Sequence, residues 1–332
     1  LASSAASDVY KRQVITTVST VTADAATAKL TLSVTVYNTS YTHTLVMKNG
    51  STSVLTISNL KLANGSNTIT LTAAQRTTVL NAMSKIKSFT GTFELKTFSG
   101  TTQIGNASSK TATVQTTAAN SAPSFTAFSY ADINTAAVGV TENNQILIQG
   151  ISTLKITANA ATAKNGATIS SYSAVIGDAT TTSTTTTINF AAGAITKTGT
   201  IPITVTAIDS RGYTTAVKVN VTVIPYNKID IKDAVMRRVN EVEAYSQVNI
   251  SGDITPVKIN NINKNSFVSM QYRYKKTNDE SYNEWSTLTA LTEFTDNNFN
   301  FSMGEWLNLD ADYSYYCLLY TSDAADEARS VD

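Results

Sequence analysis

The stretch IPITVTAIDSRGYTTAVKVNVTVIPY, residues 201–226, alternates apolar and polar side chains on both sides of a short turn. Ile203 and Val205 alternate with threonine before the turn, and every second residue from 217 to 223 is valine after it. Alternation with a period of two is typical of a β-strand with one buried face. Asp, Ser, Arg and Gly at 209–212 suit the reversal between two such strands. The stretch therefore predicts a β-hairpin that lays one face on a core.

The same alternation recurs earlier in the chain, at LTLSVTVYN (residues 30–38), NTITLT (67–72) and GTFELKTFSG (91–100). In the last of these, Phe93 and Leu95 fall on one side of the strand. Threonine, serine, valine and isoleucine are frequent, and side chains branched at Cβ pack well on a pleated sheet. We therefore predict an all-β protein with mostly antiparallel strands.

Two of the four prolines mark places where one strand pattern ends and another begins. Pro123 and Pro225 are about 100 residues apart, which is the size of one immunoglobulin-like sandwich. We predict three tandem immunoglobulin- or fibronectin III-like β-sandwiches, called here the first module (14–120), the second module (121–225) and the third module (226–316). The third module is expected to be truncated.

One segment of the first module has a helical period. In TAAQRTTVLNAMSKIKS, residues 72–88, Thr72 is a candidate N-cap, and Val79, Leu80, Met83 and Ile86 recur at helical spacing. We predict a short helix near 73–87 that closes the open end of the first sandwich. A surface for a partner is the alternative.

The third module is richer in aromatic and charged residues. We expect Trp285 to pack between its sheets, with contact between Tyr282 or Trp285 and a partner as the alternative. Tyr315 follows Leu309 by six residues, a spacing similar to the tyrosine corner of fibronectin type III domains. The Tyr315 hydroxyl is then expected to bind the backbone nearby.

Catalytic chemistry has few candidates in this chain. His43 is the single histidine, and on a strand beside Leu45 it is expected to be a packed or capped imidazole. No nucleophile-elbow pattern is present, and acidic residues such as Asp279 and Glu280 lie in predicted turns, where solvated carboxylates are the rule. We predict no enzymatic activity and no cofactor.

Charge and hydropathy also limit the partners. The formal net charge is +1, and no apolar run approaches the roughly 20 residues that span a membrane. We therefore expect neither nucleic acid nor a membrane as partner. Calcium at the module junctions, held by acidic residues such as Asp132, Glu142 and Asp209, remains an open alternative to a metal-free protein.

The two ends of the chain have a different origin. SSAASDVYKRQ at 3–13 and CLLYTSDAADE at 317–327 can be translated from one nucleotide string and its reverse complement, and that string resembles a transposase adapter used for sequencing libraries. We set aside 1–13 and 317–332 as adapter-like and expect the natural gene to be longer. If the second segment folds, it should lie as a substitute strand at the edge of the third module. Cys317, the single cysteine, belongs to it, so the remaining chain can form neither a disulfide nor a thiolate site.

Several motifs carry a family resemblance. YTHTLVMKNG (41–50), the segment from 91 to 117, SAPSF (121–125) and the hairpin segment 203–228 resemble, in this order, a family of unknown function in siphovirus tail proteins of phages that infect Gram-positive hosts. The resemblance implies a virion component near the tail tip that contributes to host attachment. Its implied partners are other tail proteins, a second copy of the chain, and a host surface glycan or protein.

The resemblance carries no catalytic residues. Asp209, Arg211 and Gly212 form its aspartate-serine-arginine-glycine turn, and we expect them in turn and packing positions. An ion pair between Asp209 and Arg211, or contact of both with a ligand, are alternatives.

Three functions of different classes follow. The first is a phage tail structural and attachment protein made of rigid spacers. The second is a bacterial surface adhesin or stalk, which a signal peptide and a wall anchor in the longer gene would identify. The third is the noncatalytic part of a secreted glycan-acting enzyme, which requires a separate catalytic domain.

Overall fold

The computed structural model of the protein describes residues 13–238, 245–287, 291–294, 300–310 and 312–325. Over these residues the chain is mostly β, arranged as several sheets with three short helices. Tandem immunoglobulin- and fibronectin III-like modules have this architecture, so the predicted fold class is confirmed. No helix in the described part of the chain is long and apolar enough to cross a lipid bilayer.

The first module contains two sheets whose inner faces share one core. Phe93 and Leu95 are fully buried there, as their alternation predicts. One sheet has the order β1-β3-β6 and the other β2-β9-β7-β4-β5, with β8 beside β7. The strands are β1 (Val14–Val18), β2 (Val21–Thr22), β3 (Lys29–Thr35), β4 (Thr42–Asn49), β5 (Thr52–Leu60), β6 (Gly65–Thr70), β7 (Ser88–Ser99), β8 (Thr102–Gln103) and β9 (Ser108–Gln115).

Helix α1 (Ala73–Ala82) follows β6 and begins at the predicted N-cap. The Thr72 hydroxyl accepts a hydrogen bond from the Gln75 N–H at 3.2 Å, and the Gln75 side chain accepts one from the Thr72 N–H at 2.9 Å. This reciprocal capping box satisfies two N–H groups that a helix start would otherwise leave unpaired.

The helix is shorter than its sequence period predicts. Val79, Leu80 and Met83 are buried, but Ile86 is 36% exposed. Met83 is already the C-cap, with non-helical backbone angles, so the chain has left the helical path before Ile86. The helical period therefore ends with Met83, and the inclusion of Ile86 in the buried face was wrong.

The second module begins after a short linker helix and has its own core. The hairpin predicted at 201–226 is confirmed, because β16 and β17 pair from Gly199 with Val223 to Ile208 with Thr214. The sheets have the orders β10-β12-β15 and β11-β17-β16-β13-β14. The elements are α2 (Ala118–Ser121), β10 (Phe128–Asp132), α3 (Thr135–Thr141), β11 (Ile146–Ile148), β12 (Leu154–Ala158), β13 (Ile169–Ile176), β14 (Ala179–Ser183), β15 (Thr187–Phe190), β16 (Gly199–Asp209) and β17 (Thr214–Ile224).

The third module has a smaller core around Ile250, Met270 and Tyr272. Its sheets have the orders β18-β19-β25-β24 and β23-β22-β26, with a separate hairpin of β20 and β21. Residues 317–323 of the adapter-like segment lie in β26, an edge strand beside β22. The strands are β18 (Asp230–Arg238), β19 (Tyr245–Asp253), β20 (Lys258–Ile259), β21 (Ile262–Asn263), β22 (Phe267–Lys276), β23 (Ser286–Thr287), β24 (Leu291–Phe294), β25 (Asn300–Asn308) and β26 (Tyr315–Asp323).

A separate apolar cluster connects the second and third modules. Ile148, Ile151 and Ile224 from the second module pack in one cluster with Tyr226 and Val257 from the third. Because β22 starts near this cluster and runs ten residues away from it, the C-terminal end of β22 lies at the far end of the third module. Tyr316, which is 55% exposed, lies opposite Lys275 near that end of the strand.

Candidate functional site

The predicted turn between β16 and β17 lies at the joint between the first and second modules. Arg211 is 6% exposed, and its Nε donates to the carbonyl oxygen of Met83 in the first module at 2.9 Å. Its Nη1 donates to the carbonyl oxygen of Lys164 at 3.0 Å, and its Nη2 to that of Asn165. The guanidinium therefore connects the end of α1 to a loop of its own module through main-chain acceptors.

The end of a helix is a favourable place for this cation. Carbonyl groups in the last turn of a helix lack intrahelical partners and carry a partial negative charge. The neighbouring Ser210 hydroxyl donates to the next carbonyl oxygen, that of Ser84, at 2.5 Å. Two consecutive turn residues of the second module thus cap α1 of the first.

Asp209 stabilises the turn through hydrogen bonds to main-chain N–H groups. Its Oδ1 accepts hydrogen bonds from the N–H groups of Arg211, at 3.0 Å, and Tyr213, at 2.8 Å. Its Oδ2 is buried and has no hydrogen-bond partner among the residues that the structure describes. Among the described residues, no ion pair joins Asp209 to Arg211, so the ion-pair alternative for this turn is wrong. Gly212 has φ +82°, a left-handed conformation that favours glycine.

Tyr213 extends the joint beyond the turn. Its hydroxyl donates to the carbonyl oxygen of Thr116 in the first module at 2.8 Å. The Lys87 ammonium lies 4.9 Å from the centre of the Tyr213 ring. Lys87 directly precedes β7 and Thr116 directly follows β9, so Tyr213 connects the second module to the end of the first module that adjoins α2.

Asp24 is a joint residue that sequence reasoning missed. It is 5% exposed, and its Oδ2 accepts hydrogen bonds from the Thr117 N–H at 2.7 Å and the Ser121 hydroxyl at 2.7 Å, which fixes linker helix α2. Ser121 Oγ in turn accepts from Asn165 Nδ2 at 3.1 Å. Asp24 and α2 are more than 90 residues apart in sequence, so no local pattern could identify the contact.

An aromatic and cationic surface, called here the aromatic face, occupies the far end of the third module. The Arg273 guanidinium carbon lies 5.0 Å from the Tyr282 ring centre and 4.5 Å from that of Trp285. The Lys275 ammonium lies 5.2 Å from Tyr282 and 5.9 Å from Tyr316. Cations at these distances are attracted by the ring faces and hold the rings in place.

Trp285 does not pack between the sheets, and that expectation was wrong. The indole is 40% exposed and is absent from the core of the third module. Tyr272, on the opposite side of β22 from Arg273, is 3% exposed and takes the core position. Because side chains alternate along β22, Arg273 lies on the outer face of the strand, and Trp285 packs against its guanidinium there.

Tyr315 makes the backbone contact that a tyrosine corner requires. Its hydroxyl accepts a hydrogen bond from the Asp310 N–H at 3.1 Å, and its ring meets Tyr274 edge-on with the ring centres 5.9 Å apart. The contact closes the turn before β26.

His43 is fully buried on β4 in the first module. Its Nδ1 lies 3.2 Å from the Leu60 carbonyl oxygen, and within the described ranges its Nε2 has no hydrogen-bond partner. Burial lowers the pKa of the imidazole, and Lys61 adds to this effect, while the bond to Leu60 opposes it. The side chain is a packed histidine with one anchored nitrogen.

The acidic residues considered for calcium lie apart. Asp132 accepts hydrogen bonds from the Ser152 hydroxyl and from the N–H groups of Asn134 and Thr153, while burial raises the pKa of its carboxyl. Glu142 instead pairs with Lys264 at 2.7 Å. In the ranges that the structure covers, no three acidic, histidine or cysteine side chains come together as ligands of one metal ion.

Comparisons with known proteins identify a family. The family described as "Siphovirus protein of unknown function (DUF859)" matches residues 5–319. No curated protein matches the chain.

Several solved structures are similar to this chain. The fibronectin(III)-like modules of Clostridium thermocellum CbhA match at 15% identity with a TM-score of 0.26, covering 64% of this chain and 95% of that one. A tetra-tandem repeat from the extending region of a large adhesion protein matches at 15% identity with a TM-score of 0.35, covering 92% and 74%. Three N-terminal domains of the outer capsid protein Hoc of bacteriophage RB49 match at 12% identity with a TM-score of 0.28, covering 90% and 91%. Because the family match spans nearly the whole chain, the protein belongs to the siphovirus family DUF859.

Proposed function

We propose that the protein is a non-enzymatic structural component of a siphovirus tail. In this proposal the first and second modules form a rigid spacer, and the third presents the aromatic face to the host surface. The observation that carries the proposal is the burial of Arg211 at the joint, with hydrogen bonds to both modules. Membership of a siphovirus family supplies the link to the virus.

Rigidity of the spacer follows from the chemistry of the joint. If one module rotated against the other, Arg211 would lose its bond to Met83 while remaining shielded from water. The guanidinium would keep its acceptors in the second module, Lys164 and Asn165, and a lost hydrogen bond from a charged group costs about 1.5 to 3 kcal/mol. Interfaces between domains of one chain permit motion unless specific contacts oppose it, and this joint has such contacts.

A scaffold role also accounts for the buried carboxylates. Asp24, Asp132 and Asp209 each accept hydrogen bonds from N–H groups of a nearby turn or helix start. In each case the carboxylate holds local main-chain structure in place. The buried ionisable side chains thus serve the fold, in keeping with a structural protein.

The third module is the better candidate for contact with the host. Trp285 and Tyr316 are 40% and 55% exposed, whereas Tyr272 is 3% exposed and packs in the core of the module. Loops at the ends of sandwich modules are common binding sites because the sheets hold them in place. The aromatic face has such a position, at the end of the third module away from the joint with the second.

Immunogold labelling of virions tests the proposal. A phage that carries an epitope tag on this gene is purified and labelled, and we expect gold particles on the tail. Absence of label from purified virions would contradict the tail proposal, and label on the wall of bacteria that carry the tagged gene would support the bacterial adhesin alternative.

A further inference from the structure

The aromatic face borders a groove of about 380 Å³ at the far end of the third module. It is lined by residues from the end of β22, the loop after it, the end of β25 and the start of β26, including Tyr274, Lys275, Tyr282, Asn283 and Asn308. Every lining residue precedes the adapter-like segment that starts at 317. The groove therefore belongs to the natural part of the chain.

The loop that forms one wall of the groove is anchored to β22. The Asn283 N–H donates to the Tyr274 carbonyl oxygen at 3.0 Å, and the Tyr274 N–H donates to Asn283 Oδ1 at 2.6 Å. The Lys275 ammonium donates to the Asp279 carbonyl oxygen at 2.9 Å. A wall fixed in this way loses little conformational entropy when a ligand binds.

The charges around the groove balance. Between 273 and 284 the chain carries three cations and three carboxylates. Lys276 reaches the Asp310 carboxylate at 3.4 Å, and Lys275 and Arg273 lie over aromatic rings. An anionic ligand would have to compete with these acidic residues, whereas a neutral ligand would not.

The lining combines flat rings with groups that both donate and accept hydrogen bonds. Tyr282 supplies a ring, and the Asn283 and Asn308 side chains belong to the type with one amide acceptor and two donors. Leu309 is the one aliphatic residue of the lining and is 3% exposed, so the groove offers no apolar pocket for a peptide side chain. Sugars present a flat C–H surface surrounded by hydroxyl groups, and this lining complements both features.

We propose that the groove binds a neutral oligosaccharide. One sugar ring stacks on Tyr282, its hydroxyl groups bind the lining amides, and the next sugar extends toward Trp285, which Arg273 links to Tyr282. The inference rests on the proposed attachment function, because it names the class of host molecule that the third module contacts.

Binding to defined glycans tests the inference. The full chain is applied to an array of neutral and anionic mono- to tetrasaccharides, and hits are confirmed in solution by saturation-transfer NMR. We expect neutral oligosaccharides to bind and Tyr282→Ala to weaken binding by about tenfold or more, while Tyr282→Phe keeps most of it. Tyr37→Ala, at a tyrosine 52% exposed in the first module, is the matched control and should change nothing.

Two results would overturn the inference. One is the absence of any neutral sugar binding at millimolar concentration in both assays. The other is selective binding of anionic glycans that Lys275→Ala abolishes and Tyr282→Ala does not affect. Neither result would alter tail labelling in virions, so a failure of the sugar inference is distinguishable from a failure of the tail proposal. Unchanged melting curves of the variants would exclude unfolding as the cause of lost binding.

Discussion

Arg211 of the second module donates a hydrogen bond from Nε to the carbonyl oxygen of Met83, the residue that ends α1 in the first module. The bond spans 128 residues of sequence, and the same carbonyl oxygen also accepts a hydrogen bond from the Ile86 N–H at 3.2 Å. This hydrogen bond makes the C-terminal end of α1 part of the contact surface between the two modules. The angle between the two modules is thereby tied to a turn of four residues.

Replacement of Arg211 should loosen the joint. We expect Arg211→Ala to destabilise the protein by about 3 kcal/mol and to broaden the range of angles between the first two modules, because the variant loses the hydrogen bonds of a buried guanidinium to both modules. Arg211→Lys should recover only part of the loss, since an ammonium lacks the planar fork of donors. Calorimetry and small-angle X-ray scattering of the full chain measure the two effects.

Lys218→Ala, at an exposed position of β17, is the control for the hairpin. It should leave both the melting transition and the scattering profile unchanged. If Arg211→Ala behaves like this control, the rigid-spacer proposal loses its main support.

Replacement of Asp24 should free the linker. We expect Asp24→Ala to cost about 2 kcal/mol and to increase hydrogen exchange of the α2 amides, because Thr117 and Ser121 lose a buried acceptor. Asp178→Ala removes an exposed carboxylate paired with Lys197 and should change neither quantity. Equal exchange in the two variants would contradict the role of Asp24.

His43 should make the stability of the first module depend on pH. Burial lowers its pKa in the folded state below the 6.5 of an ordinary histidine, so the unfolded chain binds more protons below that pH. Stability is complete above about pH 6.5 and should fall as the pH drops toward the folded pKa, by at most about 1.4 kcal/mol per pH unit. The physical reason is that a proton on Nε2 would have no acceptor.

Urea unfolding near pH 7.5 and pH 5.5 measures this dependence. His43→Gln, which can still donate to the Leu60 carbonyl, should show a flatter profile than the natural sequence. Parallel profiles of the two proteins would show that His43 does not contribute.

Trp285→Ala should have only a small effect on stability. The indole is 40% exposed on the aromatic face, so we expect a loss of about 1 kcal/mol or less in the free energy of unfolding. Tyr272→Ala, at a core residue of the same sheet, should instead cost about 3 to 5 kcal/mol. If thermal melting gives equal losses for both variants, Trp285 has a packing role.

Strand alternation, helix capping and turn chemistry are local, and for this reason they could be predicted. The side chains of β7 and of the β16–β17 hairpin face the core as their period of two requires, and α1 begins at Thr72. The end of α1 was predicted less well, because Ile86 continues the apolar spacing after the backbone has left the helix. Composition indicates the fold class because branched side chains favour pleated sheets throughout.

The sequence by itself therefore determined the β-sandwich class, the hairpin whose turn contains Asp209, Arg211 and Gly212, and the family. Only the tertiary structure decided what these residues do. Met83, the partner of Arg211 in the first module, and the partners of Asp24 lie more than 90 residues away, and a buried polar group takes whichever hydrogen-bond partner the packing brings to it. The exposure of Trp285 also depends on tertiary packing. Met270 and Tyr272 on one face of β22 fill the core of the third module, and Trp285 packs against Arg273 on the other face, where it is 40% exposed.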